Sequence, residues 1–266
     1  MYSFNYRKAS SVADAAGALA SNPDAKLLAG GQTLIASMKL RLASPSDLID
    51  LRDVAELRGI KAEAGTVTIG AMTRHAEVAA SPEVRKAIPA LARLAGGIGD
   101  RMVRNMGTLG GSVANSDPAA DYPAALLGLA ATVNTNRRKI AADQFFTGMF
   151  ETALQAGEII TSVSFPVPKR AAYMKFNNPA SRYAIVGVFV ADTGGSVRVA
   201  VTGAAGSVFR VPDMEQALGA RFAPDAVAGI EVAAEALNSD LHASAEYRAH
   251  LITVMARRAV EQAIAG

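Results

Sequence analysis

The chain has 266 residues, half of them hydrophobic and only 19% charged, which excludes a disordered or solvating protein and suits one large domain or two modest ones. A formal net charge of +3 with no block of like charges gives no footprint for nucleic acid or an anionic membrane surface. Cysteine is absent, so the chain itself can form no disulfide, cysteine nucleophile, thiolate-bound zinc or cysteine-ligated iron–sulfur cluster.

Met1 to Lys8 carries no apolar core of a secretory signal, and a cytoplasmic protein is expected. Ser11 followed by Asp14 has the spacing of a capping box and opens an alanine-rich helix that ends near Pro23. The apolar run 26–29 reads as a strand leading to Gly30 and Gly31, with a helical stretch at 34–40 beyond it. Residues 48–51 and 67–69 also read as strands. Ser81-Pro82-Glu83 marks a helix start, with a capping hydroxyl, proline at the first helical position and an acid in the first turn. Glycine is dense from 96 to 111. The greasiest stretch, 124–133, is about half the length of a membrane span and is expected to be a buried helix, so no integral membrane segment is expected. A strand at 159–165 leads to Pro166-Val167-Pro168-Lys169-Arg170, which has the composition of a solvated linker. A strand pair at 183–190 and 197–201 follows, then helices at about 225–237 and 245–264. The pattern gives two α+β pieces divided near residue 168.

His75, His242 and His250 are scattered, without metal-ligand spacing. No G-x-S-x-G elbow and no Walker A sequence is present. Gly97-Ile98-Gly99 lacks the third glycine of a dinucleotide fingerprint. Asp117 and Asp121 lie four apart in a proline-containing turn and suit backbone capping as well as acid–base work. No residue is singled out as catalytic or metal-binding. Two glycine pairs remain, Ala29-Gly30-Gly31-Gln32-Thr33 and Thr108-Leu109-Gly110-Gly111-Ser112, each flanked by hydroxyls and followed by a helical stretch. Glycine lets backbone N–H groups approach a ligand closely, so these are either tight turns or two contacts on one extended, phosphate-bearing cofactor.

The first loop with Lys39-Leu40-Arg41, and the second within Val103-Arg104-Asn105 to Asn115 with Asp117-Pro118-Ala119-Ala120-Asp121, resemble the FAD-binding medium subunit of molybdenum hydroxylases, the family of xanthine dehydrogenase and aerobic carbon monoxide dehydrogenase. Residues 179–186 and 239–248 resemble its C-terminal domain, so the resemblance covers nearly the whole chain. It implies an α+β FAD-binding fold of the p-cresol methylhydroxylase type over 1–168, with subdomains of about 1–55 and 56–168, and a C-terminal domain at 169–266. It also implies non-covalent FAD, with no covalent attachment at His75. Leu28, Ala29, Gly30, Gly31, Gln32, Thr33, Leu34 and Ile35 would hold the pyrophosphate. Thr108, Leu109, Gly110, Gly111 and Ser112 would approach from the other side, with Val103 and Gly107 lining the cavity. Asp121 would hydrogen-bond the cofactor, Ile160 would pack beside the adenine, and Lys175 would lie near the flavin ring. Valine at Gly31 or Gly110 is expected to expel FAD and leave the fold largely intact.

Thr33 departs from the family's more usual serine and keeps the hydroxyl, whereas Ala36 stands where proline is frequent. The implied function is electron transfer within an oxidoreductase complex. Molybdopterin would sit on a large partner subunit and [2Fe–2S] clusters on a small one, in a dimer of heterotrimers. The alternatives are a stand-alone FAD oxidase and a non-catalytic interaction subunit.

Overall fold

Parallel strands need crossover connections, and the amino-terminal segment supplies them with short helices. In the computed structural model, which describes residues 1–266, strands Asn5–Lys8 and Lys26–Leu28 flank Asp47–Asp50 and run parallel to it. Helices Val12–Ser21 and Leu34–Lys39 make the crossovers. The Ser11 hydroxyl accepts the Asp14 N–H at 3.0 Å, as the capping motif requires, but the Asp14 carboxylate reaches back to the Ser10 N–H at 2.9 Å, one residue earlier than a capping box places it.

The next unit is an antiparallel sheet in the order Ile60–Glu63, Thr66–Gly70, Ile160–Pro166, Thr132–Thr135, Lys139–Ala141. Six short helices, from His75–Ala80 to Tyr122–Gly128, are inserted between its second and fourth strands. A third sheet, Arg170–Asn177, Ala184–Asp192, Val197–Thr202 and Phe209–Arg210, is antiparallel throughout and packs under helix Ala245–Ala265. No helix is long and apolar enough to cross a membrane.

Strand Ala184–Asp192 joins the two larger cores. All of its residues are buried, and a strand sends alternate side chains to opposite faces. Val186, Val188 and Val190 enter the core beneath helix Ala245–Ala265, while Phe189 and Ala191 enter the core of the preceding unit. Gly128 makes room for this contact, since a Cβ there would lie 2.6 Å from Cδ1 of Phe189.

Three expectations are corrected. The run 124–133 is not one helix: the helix stops at Gly128 against Phe189, Ala130 takes a φ of +50°, and the chain enters strand Thr132–Thr135. Residues 166–170 are not a solvated spacer, because only Val167, Pro168 and Lys169 separate two strands and the Lys169 N–H donates to the Asp192 carbonyl at 2.8 Å. Residues 225–237 form no α-helix. Beyond the single 3-10 turn Pro224–Val227, the residues Ile230, Val232 and Leu237 pack one by one on the second core, and the Asn238 N–H bonds the Ala204 carbonyl at 2.8 Å. These tertiary anchors outweigh the helical preference of the local alanines.

Phe189→Ala removes a fully buried ring from the seam and is expected to cost about 3–5 kcal/mol. Urea unfolding should still show one transition, at lower denaturant; separate transitions for the two cores would contradict the coupling. Acid should act through Glu158, whose side chain is fully buried. It accepts hydrogen bonds from the Arg138 guanidinium at 2.9 and 3.1 Å, the Thr135 hydroxyl at 2.8 Å and the Gln155 N–H at 2.9 Å. Arg138 first, then the other donors, bring its pKa down from 4.5 to about 2. The folded carboxyl holds its proton less tightly than the unfolded one, so its stabilisation is complete above about pH 4.5 and is lost as the pH falls towards 2. The stability gap between wild type and Glu158→Gln should therefore narrow over that range; a constant gap would refute the assignment.

Candidate functional site

A cavity of about 530 Å³ opens where the loops of the first two sheets meet, and residues 181–183 of the third unit complete its wall. The first glycine loop forms one side. After strand Lys26–Leu28 the chain turns through Gly31, at φ +72°, into helix Leu34–Lys39. Ala29, Gly30, Gly31, Gln32, Thr33 and Leu34 all line the cavity, and none of their six backbone N–H groups finds an acceptor in the chain. These residues are half-buried or exposed, so the run presents a row of free donors to whatever fills the cavity, solvent or ligand. The Thr33 hydroxyl also lacks a partner in the chain.

The second loop is built differently, with most of its N–H groups spent inside the protein. Leu109 donates to the Thr73 carbonyl at 3.0 Å, Gly110 to Ala71 at 2.8 Å, and Gly111 to the Thr108 hydroxyl at 3.2 Å, while the Gly107 carbonyl accepts the His75 N–H at 3.0 Å. Its glycines answer to packing. A Cβ on Gly110 would sit 2.5 Å from the Ala71 Cβ and 2.9 Å from its Cα, and one on Gly107 would sit 2.6 Å from His75 Nε2. Valine at Gly110 would therefore disrupt the fold, contrary to the expectation from sequence. Gly31 is no cleaner a probe, because its left-handed φ of +72° strains any side chain. The two loops also touch, since a Cβ on Gly30 would lie 2.8 Å from the Gly107 Cα.

Lys26, His75, Asp117, Asp121, Glu158, Arg182 and Tyr183 are the titratable groups on the cavity wall. His75 is buried against Tyr122, with ring centroids 5.4 Å apart; burial first and then the Arg104 charge lower its pKa to about 4, so it is neutral at pH 7. Its Nδ1 has no hydrogen-bond partner. Asp117 caps the local turn by accepting the Ala119 N–H at 2.9 Å, and burial raises its pKa. Asp121 caps nothing. Its Oδ1 accepts the Tyr173 hydroxyl at 2.5 Å and lies 2.9 Å from Nζ of Lys175. Burial pushes its carboxyl up, while Lys175 and the Tyr173 hydroxyl pull the other way.

Of the residues singled out from sequence, Ala29, Gly30, Gly31, Gln32, Thr33, Leu34, Val103, Gly107, Thr108, Gly110, Gly111, Ser112, Asp121 and Ile160 come together on this wall. Leu28 packs instead with Met38 and Leu48, with Ile35 against them, and Leu109 is fully buried in the main core. Lys175 stands behind Asp121, its Nζ also bonded to the Gly97 carbonyl at 3.1 Å, and is not on the wall. Sequence reasoning missed Met72, His75, Glu158, Ser181, Arg182 and Tyr183, which are on the wall. The segment 179–186 was noticeable as a motif, but only the topology carries it to the cavity.

The arrangement offers anion-binding N–H donors along one side, apolar surface at Met72, Val103 and Ile160, and a carboxylate acceptor at Asp121. A flavin dinucleotide, with a diphosphate, flat rings and hydrogen-bond donors, fits that set of groups. The family model described as "FAD binding domain in molybdopterin dehydrogenase" matches residues 2–168, and "CO dehydrogenase flavoprotein C-terminal domain" matches residues 171–263. The nicotine 6-hydroxylase medium subunit of Paenarthrobacter nicotinovorans is 40% identical, over 97% of this chain and 96% of that one. The carbon monoxide dehydrogenase medium chain of Hydrogenophaga pseudoflava is 36% identical, over 98% and 96%. The solved structure of reconstituted CO dehydrogenase from Oligotropha carboxidovorans superposes with a TM-score of 0.92 at 35% identity, covering 99% of this chain and 98% of that one. Matched over 2–168 and 171–263, the chain belongs to the family of FAD-binding medium subunits of molybdenum hydroxylases.

Proposed function

We propose that the chain is the flavoprotein component of a molybdenum-dependent hydroxylase or dehydrogenase. In this reading it holds one non-covalent FAD in the cavity, receives electrons from [2Fe–2S] clusters of a small subunit, and passes them to an external acceptor. Substrate oxidation belongs to a large molybdopterin subunit, and the assembly is a dimer of heterotrimers in the cytoplasm. Residues 1–168 serve as the FAD-binding domain, with subdomains of about 1–55 and 56–168, and 169–266 as the C-terminal domain.

The observation that carries the reading is the row of six unpaired N–H groups from Ala29 to Leu34 on the cavity wall. A diphosphate accepts from these donors, and no lysine or arginine within that loop competes with them. The Thr33 and Ser112 hydroxyls add donors from the two loops, Ile160 and Val103 shield the rings from water, and Asp121 supplies an acceptor. A bound flavin contributes the exchange of single electrons for pairs. The protein contributes position: a rigid cavity, a neutral imidazole at His75 and a buried, charge-compensated carboxylate.

Acid precipitation of the purified chain should release FAD into the supernatant; flavin retained in the pellet, or FMN in its place, contradicts non-covalent FAD. Thr33→Val removes only the hydroxyl and should weaken FAD binding by about tenfold or more, as for a lost hydrogen bond to a charged group, roughly 1.5–3 kcal/mol. Unchanged affinity would take the first loop out of the site. Anaerobic mixing of the isolated chain with aldehydes, purines, N-heterocycles or carbon monoxide should leave the flavin oxidised, although dithionite reduces it. Rapid bleaching by an organic substrate with no partner present favours a self-contained oxidase, and absence of any flavin favours an interaction subunit.

A further inference from the structure

Asp121 occupies the position before helix Tyr122–Gly128 where an aspartate ordinarily caps, yet its carboxylate makes no capping bond. The Tyr173 hydroxyl donates to Oδ1, and the closest approach of the Lys175 ammonium, 2.9 Å, is to the same oxygen. Oδ2 has no hydrogen-bond partner on another residue and is not sealed among protein atoms, and Asp121 lines the cavity. One oxygen is thus tied down from behind and the other is left for whatever enters.

The tie comes from the other half of the chain. Tyr173 and Lys175 are two apart on strand Arg170–Asn177, so both side chains leave the same face of the sheet. Across the register Tyr173 pairs with Phe189 and Lys175 with Gly187. The Tyr173 ring stacks on Phe189, with centroids 6.2 Å apart and planes inclined by 30°, which fixes its direction. Gly187 leaves the space for its hydroxyl, as a Cβ there would overlap Oη and come within 2.9 Å of Cζ. Tyr173 is itself absent from the cavity wall and touches nothing that enters the cavity.

We propose that Tyr173 is a positioning residue for the cofactor: it orients the Asp121 carboxylate so that Oδ2 accepts a hydrogen bond from an N–H or hydroxyl of the bound flavin nucleotide. The inference rests on the flavin reading of the cavity and adds a residue that acts on it only through Asp121. With Oδ1 hydrogen-bonded to the Tyr173 hydroxyl and drawn towards the Lys175 ammonium, a rotation that buries Oδ2 would break the hydrogen bond and disturb the ion pair, so the acceptor is pre-oriented before the ligand arrives.

The test is a double-mutant cycle on the full-length chain stripped of flavin, with FAD affinity read by quenching of flavin fluorescence and the visible flavin band recorded in each complex. Tyr173→Phe is expected to weaken FAD binding about tenfold, as for one lost hydrogen bond, and to leave apo-protein melting nearly unchanged. Asp121→Asn turns the cavity-facing oxygen into a donor and should weaken binding at least as much. In the Asp121→Asn background, Tyr173→Phe should then cost no further affinity. Gly187→Ala, which displaces the hydroxyl without altering Tyr173, should reproduce the Tyr173→Phe loss and its change in the flavin band. Wild-type affinity in Tyr173→Phe, or the same loss in both backgrounds, would overturn the proposal while leaving the flavin reading intact. A wild-type chain that binds no FAD would overturn both.

Discussion

The site depends on backbone meeting backbone where no Cβ can fit. Gly30 lies against Gly107, Gly107 against the His75 ring, and Gly110 against Ala71. These contacts fasten the loop after the first parallel sheet to the loop that precedes helix Leu109–Asn115, and the cavity is the space left beside the seam. Glycine at such positions carries an entropic penalty on folding. The penalty is offset on the second loop by backbone pairing: the loop 107–112 exchanges backbone bonds with residues 71–75 and is held almost like a strand, although only one isolated bridge, Arg74 to Thr108, qualifies as sheet.

That seam divides labour between the two glycine pairs, which look alike in sequence. The pair at 110–111 has its N–H groups consumed by Ala71 and Thr108 and serves as structure. The pair at 30–31 keeps its N–H groups free because the adjacent strand ends at Leu28 and the next helix begins at Leu34, leaving a turn with no neighbouring acceptor. A similar sorting applies to the two C-terminal motifs. Residues 239–248 are structural: Ser244 caps helix Ala245–Ala265, and Arg248, buried in that helix, donates to the Ile185 and Gly203 carbonyls at 2.7 and 2.9 Å and to Asp240 at 2.8 Å. Residues 181–183 by contrast reach the cavity, because the turn between strands Arg170–Asn177 and Ala184–Asp192 overhangs it.

The loops that line the cavity were legible in the sequence because glycine pairs flanked by hydroxyls stand out locally. What could not be read was anything decided by register or by long-range packing. Lys175 was visible as a lone cation, but its address behind Asp121 follows from which face of strand Arg170–Asn177 it shares with Tyr173, and neither neighbour in sequence reveals that. The same limit explains the missing helix at 225–237. Its alanines favour a helix, yet the spacing of Ile230, Val232 and Leu237 matches sockets on the core beneath, and only the fold displays those sockets. The apolar run 124–133 failed for a related reason, since its break at Gly128 is set by Phe189, sixty-one residues further along the chain.

Charge is handled on the cavity wall and just behind it in a way that suits the traffic of electrons. His75 is kept neutral by burial, the Tyr173 hydroxyl is held protonated because burial raises its pKa well above the ordinary value, and the Asp121 carboxylate faces the Lys175 ammonium at 2.9 Å. At the first glycine loop a phosphate-bearing ligand meets backbone dipoles fixed in a folded turn, while Lys26 and Arg182 stand elsewhere on the wall. Dipoles anchored in a folded loop need not reorganise when the charge beside them changes by one electron, whereas long side chains and water would have to turn. A rigid lining keeps that reorganisation small, and the glycine seam provides the rigidity by leaving neither loop room to shift against the other.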